Sequence, residues 1–456
     1  MLTNLLVLNI VVLLLGTCHE IFARTDLTLE DGSVGTEVVE ATLKKIRRSD
    51  IFQDDYDFLK RLAYVESEDG ESKKKANDGG IWQVNQEYLD QSKQPSLTDL
   101  HKQITTTYNI SWAGVNFSDL QKPLFSAIAA RLYLATLDQD VPQSLESQSD
   151  FWLQHYNQRD ATRQTFSSKV VEMENKTITC KGKMDFVLVL DGSGSVGEEN
   201  FLKAQEFVAS LIGSFSLVSS RFGYLVYSNL VDTIFQLDNT LNMDQIRRII
   251  FEYEYQGGGT NTNGAIKEAV NVFSAASVRP GVPKVLAVLT DGKSGNGVGN
   301  IELAKQANIS TYAVGIGPET DPEELQEIAY NNPTNVFSLN DFEVLKDFYR
   351  RLNAETCNNA QTPGFGVVTT DELSFKEKRF YEFDLPSPGI TIETDIQVGD
   401  VIGFYSLVES NPSIALHDGV LNRTTVIPSD GVSTRAYVTI QGLKDQNTYS
   451  ISARQL

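Results

Sequence analysis

FVLVLDGSGS, residues 186–195, decides how this chain folds. Phe186-Val-Leu-Val-Leu190 is an unbroken apolar run, the mark of a strand buried on both faces. It stops in the polar turn Asp191-Gly-Ser-Gly-Ser195, and the stretch Glu198–Ile212 then reads as a helix. The same rhythm continues downstream. Phe222–Tyr227, Lys284–Leu289, Thr311–Ile316 and Val336–Ser338 read as strands. Thr262–Ala276, Ile301–Asn308, Pro322–Tyr330 and Asp341–Ala354 read as helices. Alternating strands and helices predict an α/β, doubly wound, mostly parallel sheet with helices on both faces.

In such sheets ligands bind beyond the carboxyl ends of the strands. The turn after the first strand offers one carboxylate and two hydroxyls, Asp191, Ser193 and Ser195, and its glycines let the backbone turn tightly. Gly257-Gly-Gly-Thr-Asn-Thr262 adds Thr260, and Leu289-Thr-Asp-Gly292 adds Asp291. Oxygen donors carrying few charges suit a divalent cation, Mg2+ first, with Mn2+ or Ca2+ as alternatives. The glycine run lacks the lysine of a phosphate loop, and no G-x-S-x-G elbow supports a hydrolase.

Asp191, Ser193, Ser195, Thr260 and Asp291, in this order, resemble the metal-ion-dependent adhesion site of the von Willebrand factor A family, over residues 183–357. The resemblance implies a metal that keeps water in its shell and exchanges one water for a partner's carboxylate. It also implies chain ends that lie close together, so Cys180 and Cys357, which bracket the region, are expected to form a disulfide clasp. Closing so long a loop could contribute up to ~5 kcal/mol by the chain-entropy model. Two free or intermolecular thiols are the alternative.

The rest of the chain sets the context. Leu5–Leu15 is an apolar run that ends at Gly16, fitting a signal peptide over 1–23 that would carry Cys18 away. No later stretch reaches the ~18 apolar residues of a membrane anchor. Asn109, Asn116, Asn175, Asn308 and Asn422 begin glycosylation sequons. With 60 acidic against 39 basic residues the net charge is −21, which disfavours nucleic acid and anionic membranes.

Domain expectations follow: an N-terminal segment 24–50, a mainly α domain 51–160, a polar linker 161–179, the α/β domain 180–357, and a small β-sandwich 358–456. Within the second, Phe58, Leu62 and Val65 recur at helical spacing, and Leu124–Leu134 is an Ala-rich buried helix. Glu66 follows Tyr64 and Val65 in an apolar setting that would raise its pKa, as a general acid for glycoside cleavage requires. Glu66-Ser67, Gly79-Gly-Ile-Trp-Gln-Val84 and His155-Tyr-Asn157 resemble, in that order, the goose-type lysozyme and lytic transglycosylase superfamily. On that resemblance Glu66 is the acid, Ser67 supports it, Gln83 lines the cleft and Tyr156 bonds Glu66. Asp69 and Asp78 are candidates for holding water, and the family's closing glycine is Arg159 here.

The leading expectation is a secreted extracellular-matrix adhesion protein that binds a matrix or cell-surface protein through the metal. A secreted glycosidase with a glycan in its N-terminal domain is the enzymatic alternative, and a binding role is favoured over it. A structural component of an acidic biomineral or byssal matrix is the third reading. Residues 361–456 carry no catalytic cluster, and His417-Asp418-Gly419 reads as a turn.

Overall fold

The computed structural model describes residues 24–72, 79–156, 162–175, 181–277, 279–295 and 297–456. The expected signal peptide, Asp78, Arg159 and Cys180 lie outside them.

The chain enters through a two-residue strand, β1 (Thr25–Asp26), and a helix, α1 (Thr36–Ser49). α1 turns Val38, Val39, Leu43 and Ile46 inward at helical spacing. Five more helices follow: α2 (Phe58–Ser67), α3 (Gln86–Gln91), α4 (Thr98–Tyr108), α5 (Pro123–Leu134) and α6 (Leu145–His155). Pro123 starts α5 because its missing N–H has no helical partner to lose there. Ala127, Ala129 and Ala130 let other helices close around α5, which is buried on nearly every side.

Two expectations need correction here. Residues 24–50 are not a separate segment, because α1 packs into the same apolar cluster as α2 and α5. The expected linker 161–179 contains a helix, α7 (Arg163–Asn175). Its Phe166 and Val170 sit four residues apart and are fully buried in that cluster. A two-residue apolar stripe on a polar helix is too thin to stand out in composition.

The central domain runs β2 (Met184–Asp191), α8 (Glu198–Gly213), β3 (Ser220–Tyr227), β4 (Val231–Phe235), α9 (Met243–Glu252), α10 (Thr262–Ala275), β5 (Lys284–Thr290), α11 (Ile301–Gln306), β6 (Ile309–Ile316), α12 (Pro322–Ile328), β7 (Val336–Leu339) and α13 (Leu345–Cys357). Its six-stranded sheet has the order β4-β3-β2-β5-β6-β7 and is parallel except for β4. Along β2, Phe186, Leu188 and Leu190 join one apolar cluster, while Val187 and Val189 join the other on the opposite face. Sequence reading overlooked β4 and α9. β4 is a half-exposed edge strand, and α9 buries only Ile246 and Ile250.

The C-terminal residues form β8 (Thr369–Leu373), β9 (Lys378–Asp384), β10 (Gly389–Val398), β11 (Val401–Ser406), β12 (Leu416–His417), β13 (Gly419–Val420), β14 (Thr424–Pro428), β15 (Arg435–Gly442) and β16 (Asn447–Gln455). Two four-stranded antiparallel sheets result, β14-β10-β16-β8 and β13-β11-β15-β9. They share one cluster, with Ile390, Ile392 and Ile451 from the first and Tyr381, Val438 and Ile440 from the second. Outward positions are taken by Thr370 and Glu372 on β8 and by Thr424, Val426 and Pro428 on β14.

The three parts interlock. β1 pairs antiparallel with β12, Thr25 opposite His417 and Asp26 opposite Leu416. Ala415 and Leu416 are buried within the N-terminal helical cluster, although they belong to the C-terminal part of the chain. On α1, Lys44 and Arg48 both pair with the buried Glu409, Arg48 at 2.8 Å. From the central domain, Arg351 of α13 reaches Asp54 at 2.9 Å, and Glu355 meets Arg47 at 3.0 Å. Gln143 spans the same seam, donating to the Ser338 carbonyl (3.2 Å) and accepting from the Asn340 amide (2.7 Å). Burial alone would raise the Asp57 carboxyl, but Arg47 and Arg351 outweigh it and hold that carboxyl well below its ordinary range.

Candidate metal centre

The site forms where β2, β3 and β5 end side by side. Asp191, the last residue of β2, is buried, and both of its oxygens are committed. Oδ1 accepts the Ser193 amide at 2.9 Å. Oδ2 accepts the Thr290 hydroxyl at 2.8 Å and the Tyr227 hydroxyl at 3.2 Å. Tyr227 and Thr290 are the final residues of the flanking strands. Sequence reading missed both as orienting groups, although their shared position at the carboxyl edge was a usable signal.

From Asp191 the turn carries two hydroxyls across to the second carboxylate. Ser193 Oγ lies 3.0 Å from Ser195 Oγ, and Ser195 Oγ donates to Asp291 Oδ1 at 2.8 Å. The third piece, residues 257–260, is drawn in by the Gly194 amide, which donates to the Gly258 carbonyl at 2.8 Å. A Cβ on Gly194 would stand only 3.2 Å from that carbonyl oxygen, so a side chain there would push the loops apart. The Gly259 amide donates to Asn229 Oδ1 at 3.0 Å and fixes the other side of the loop. Thr260 is half-buried on this loop, and its hydroxyl makes no hydrogen bond among the described residues. Asp191, Ser193, Ser195 and Asp291 are thus linked directly or through one neighbour, and Thr260 stands on the adjoining loop.

The electrostatics fit a cation. Burial, reinforced by the Asp191 charge, pushes the Asp291 carboxyl up to about 6 against the opposing bond from Ser195. Burial also raises Asp191, in spite of the hydrogen bonds it accepts. Among the described residues neither carboxylate has a lysine or arginine partner. Two desolvated carboxylates facing hydroxyls, with no positive charge from the chain, suit a hard divalent ion. Among the described residues no group of three or more His, Cys, Asp or Glu side chains gathers to hold a metal, so the donors here beyond the two carboxylates are hydroxyls.

The N-terminal candidates are placed differently from the expectation. Glu66, in the last turn of α2, is half-buried and accepts a hydrogen bond from Trp152 Nε1 at 2.7 Å. Tyr156 does not donate to Glu66. Its hydroxyl is committed to the Trp82 carbonyl at 2.7 Å, because the chain after α6 turns it toward the buried Trp82 backbone. Burial, and next the nearby Glu66 charge, raise Tyr156 well above the ordinary phenol range. Ser67 bonds backbone carbonyls of Ala63 and Ile81, tying α2 to the segment 79–84. Gln83 turns its amide back to the Gly80 carbonyl at 2.8 Å. Asp69 is buried and accepts the Thr36 hydroxyl at 2.8 Å, which gives it a structural partner in α1.

Asn109, Asn116, Asn308 and Asn422 are exposed, while Asn175 is the last residue of α7. Cys357 ends α13 and is half-buried. Among the described residues no helix is long and apolar enough to cross a membrane.

Residues 185–351 match the family model of the von Willebrand factor type A domain, and this part of the chain is such a domain. The Xenopus laevis collagen alpha-1(XXI) chain is 33% identical over 197 residues, covering 42% of this chain and 20% of that one. Mouse matrilin-2 is 33% identical over 194 residues, covering 40% and 20%. Mouse integrin alpha-X is 30% identical over 214 residues, covering 44% and 18%. The chain therefore spans about a fifth of the length of these relatives. Among solved structures, proximal thread matrix protein 1 from the mussel byssus aligns with a TM-score of 0.37 and 24% identity, covering 42% of this chain and 50% of that one.

Proposed function

We propose that this chain is a secreted matrix or adhesion protein that holds a divalent cation at the carboxyl edge of its central sheet and uses it to bind a partner's carboxylate. The observation that carries the reading is the pair of buried carboxylates, Asp191 and Asp291, bridged by Ser193 and Ser195 and lacking any basic partner among the described residues. Asp191, Ser193, Ser195, Thr260 and Asp291 would hold the ion. A bound ion would supply the positive charge that attracts an acidic partner to an otherwise acidic protein. Thr290 and Tyr227 position Asp191, and the Gly194–Gly258 bond keeps Thr260 beside the first loop. Collagen and matrilin chains among the relatives support a matrix setting. The clasp between Cys180 and Cys357 belongs to this reading, supported by the disulfide-bonded state of Cys357.

The test is the melting temperature of the full chain with and without Mg2+ or Mn2+, at pH 5 and at pH 7.5. Proton and cation compete for Asp291, whose carboxyl titrates at about 6. With no cation, the raised pKa means that Asp291's contribution to stability is present below the ordinary carboxylate range. That contribution is lost as pH rises through about 6. The cation effect runs the other way. A rise in melting temperature is expected at pH 7.5 and should shrink at pH 5. No shift at pH 7.5 with either ion rejects the reading.

A glycosidase role for the N-terminal part is the second reading, favoured by the placement of Glu66 against Trp152. Its test is clearing of a bacterial cell-wall suspension. Wild type should clear it and Glu66→Gln should not; equal, absent clearing by both removes the enzymatic reading.

A further inference from the structure

We propose that the cavity between the two C-terminal sheets is the seat of the first sugar of an N-linked glycan carried by Asn422. This rests on the secreted reading above. The cavity, of about 250 Å3, opens where the sheets part. Thr394 and Ile396 of β10 line it from one sheet, and Val401 of β11 and Ile440 of β15 line it from the other. Leu421 and Asn422 form its rim.

Three features identify the occupant. First, the cavity is unfinished as a protein core. Alternation along β10 places Thr394 and Ile396 on the face of the core residues Ile390 and Ile392, yet Ile396 is 44% exposed. Second, the Thr394 hydroxyl is buried without a hydrogen-bond partner, on a residue only 9% exposed. A buried hydroxyl without a partner is unfavourable, so a χ1 rotation that turned it toward a polar group held in the cavity Thr394 lines would be favoured. Third, the sequon Asn422-Arg-Thr424 lies on the rim, with both Asn422 and Thr424 exposed. The Thr394 amide donates to the Arg423 carbonyl at 2.8 Å, so the attachment point is one residue from the strand that lines the cavity.

An N-acetylhexosamine matches these walls. Its ring C–H face and acetamido methyl group are apolar, and its hydroxyls and amide can bond Thr394. The volume lies below the ~300–1,000 Å3 usual for drug-sized ligands, which suits one sugar ring rather than an oligosaccharide. Covalent attachment at the rim raises the effective concentration of the sugar, so weak contacts suffice to seat it. Asn109 and Asn308, exposed at left-handed positions after helices, serve as controls.

The full chain is expressed in a glycosylating eukaryotic host, and occupancy of each sequon is read by mass spectrometry. The glycans are then trimmed enzymatically to a single N-acetylglucosamine. The trimmed protein should melt roughly 2–8 °C above Asn422→Gln, the shift that about 1 kcal/mol produces in a domain of about 60–250 residues. Asn109→Gln should change nothing. In a Thr394→Val background the Asn422→Gln effect should be smaller. A bare Asn422 with glycans on Asn109 or Asn308 overturns the proposal, as does a trimmed protein that melts with Asn422→Gln. If no sequon is occupied, the secreted reading fails, and the seat fails with it.

Discussion

Asp291→Asn is expected to abolish the cation-induced rise in melting temperature while leaving the cation-free protein no less stable. The substitution keeps the size of the side chain and an oxygen to accept the Ser195 hydroxyl, but it removes one of the site's two charges. In the cation-free protein that charge is unfavourable, since burial and Asp191 push the carboxyl up to about 6. Removing it at pH 7.5 therefore relieves a penalty. With cation present, the same charge is half of the negative charge that holds the ion. A ligand at one hundred times its dissociation constant stabilises by about 2.7 kcal/mol. For a domain of this size that is roughly 5–10 °C of melting temperature, all of which the variant should lose. Differential scanning fluorimetry with a Mg2+ or Mn2+ titration measures both halves of the expectation. A variant that keeps the full shift would show that Asp291 does not take part in cation binding.

Leu416→Asp should uncouple the N-terminal helices from the C-terminal sheets. Leu416 is 2% exposed and sits in the N-terminal apolar cluster beside Ala415. A carboxylate there replaces an apolar contact and stands directly opposite Asp26, whose charge already engages Lys45. The cost is expected to exceed about 4 kcal/mol, the range reserved for buried, unpaired charges. Leu416→Ala should cost about 2–5 kcal/mol by cavity formation alone. The expected readout is earlier melting and faster proteolysis within residues 24–175, with the cation-induced shift of the central domain retained. Unchanged proteolysis in Leu416→Asp would mean that the N-terminal helices stand without the inserted loop.

These two positions differ in how far they can be read from the chain. Asp291 follows directly from sequence: an apolar run that ends in Thr-Asp-Gly is a strand with a carboxylate at its carboxyl end. Leu416 lies in Ile414-Ala-Leu-His-Asp-Gly, which looks like a loop with a turn. Its strand partner is Asp26, and the apolar cluster that buries it is built by the N-terminal helices, far away in the chain. The hydroxyls of Tyr227 and Thr290 are intermediate. Their strands were legible, but that both would bond Asp191 depends on β3 and β5 flanking β2, an adjacency set by sheet order. Tyr156 shows the same limit, since the direction its hydroxyl takes is decided by the packing of α6 against the Trp82 segment.

The sequence by itself determined the alternating strands and helices of the central domain and the oxygen-bearing residues Asp191, Ser193, Ser195 and Asp291 that follow its strands, whereas Thr260 stands on the loop between α9 and α10. Both are local: burial on two faces makes an apolar run, and the polar turn follows it within a few residues. Only the tertiary structure decided that residues 24–50 and 163–175 belong to one helical core, that β1 pairs with β12, and that two carboxylates 100 residues apart share a single desolvated site. The reason is physical. Periodicity reports which face of an element is buried, whereas the partner that buries it is chosen by packing among elements distant in the chain.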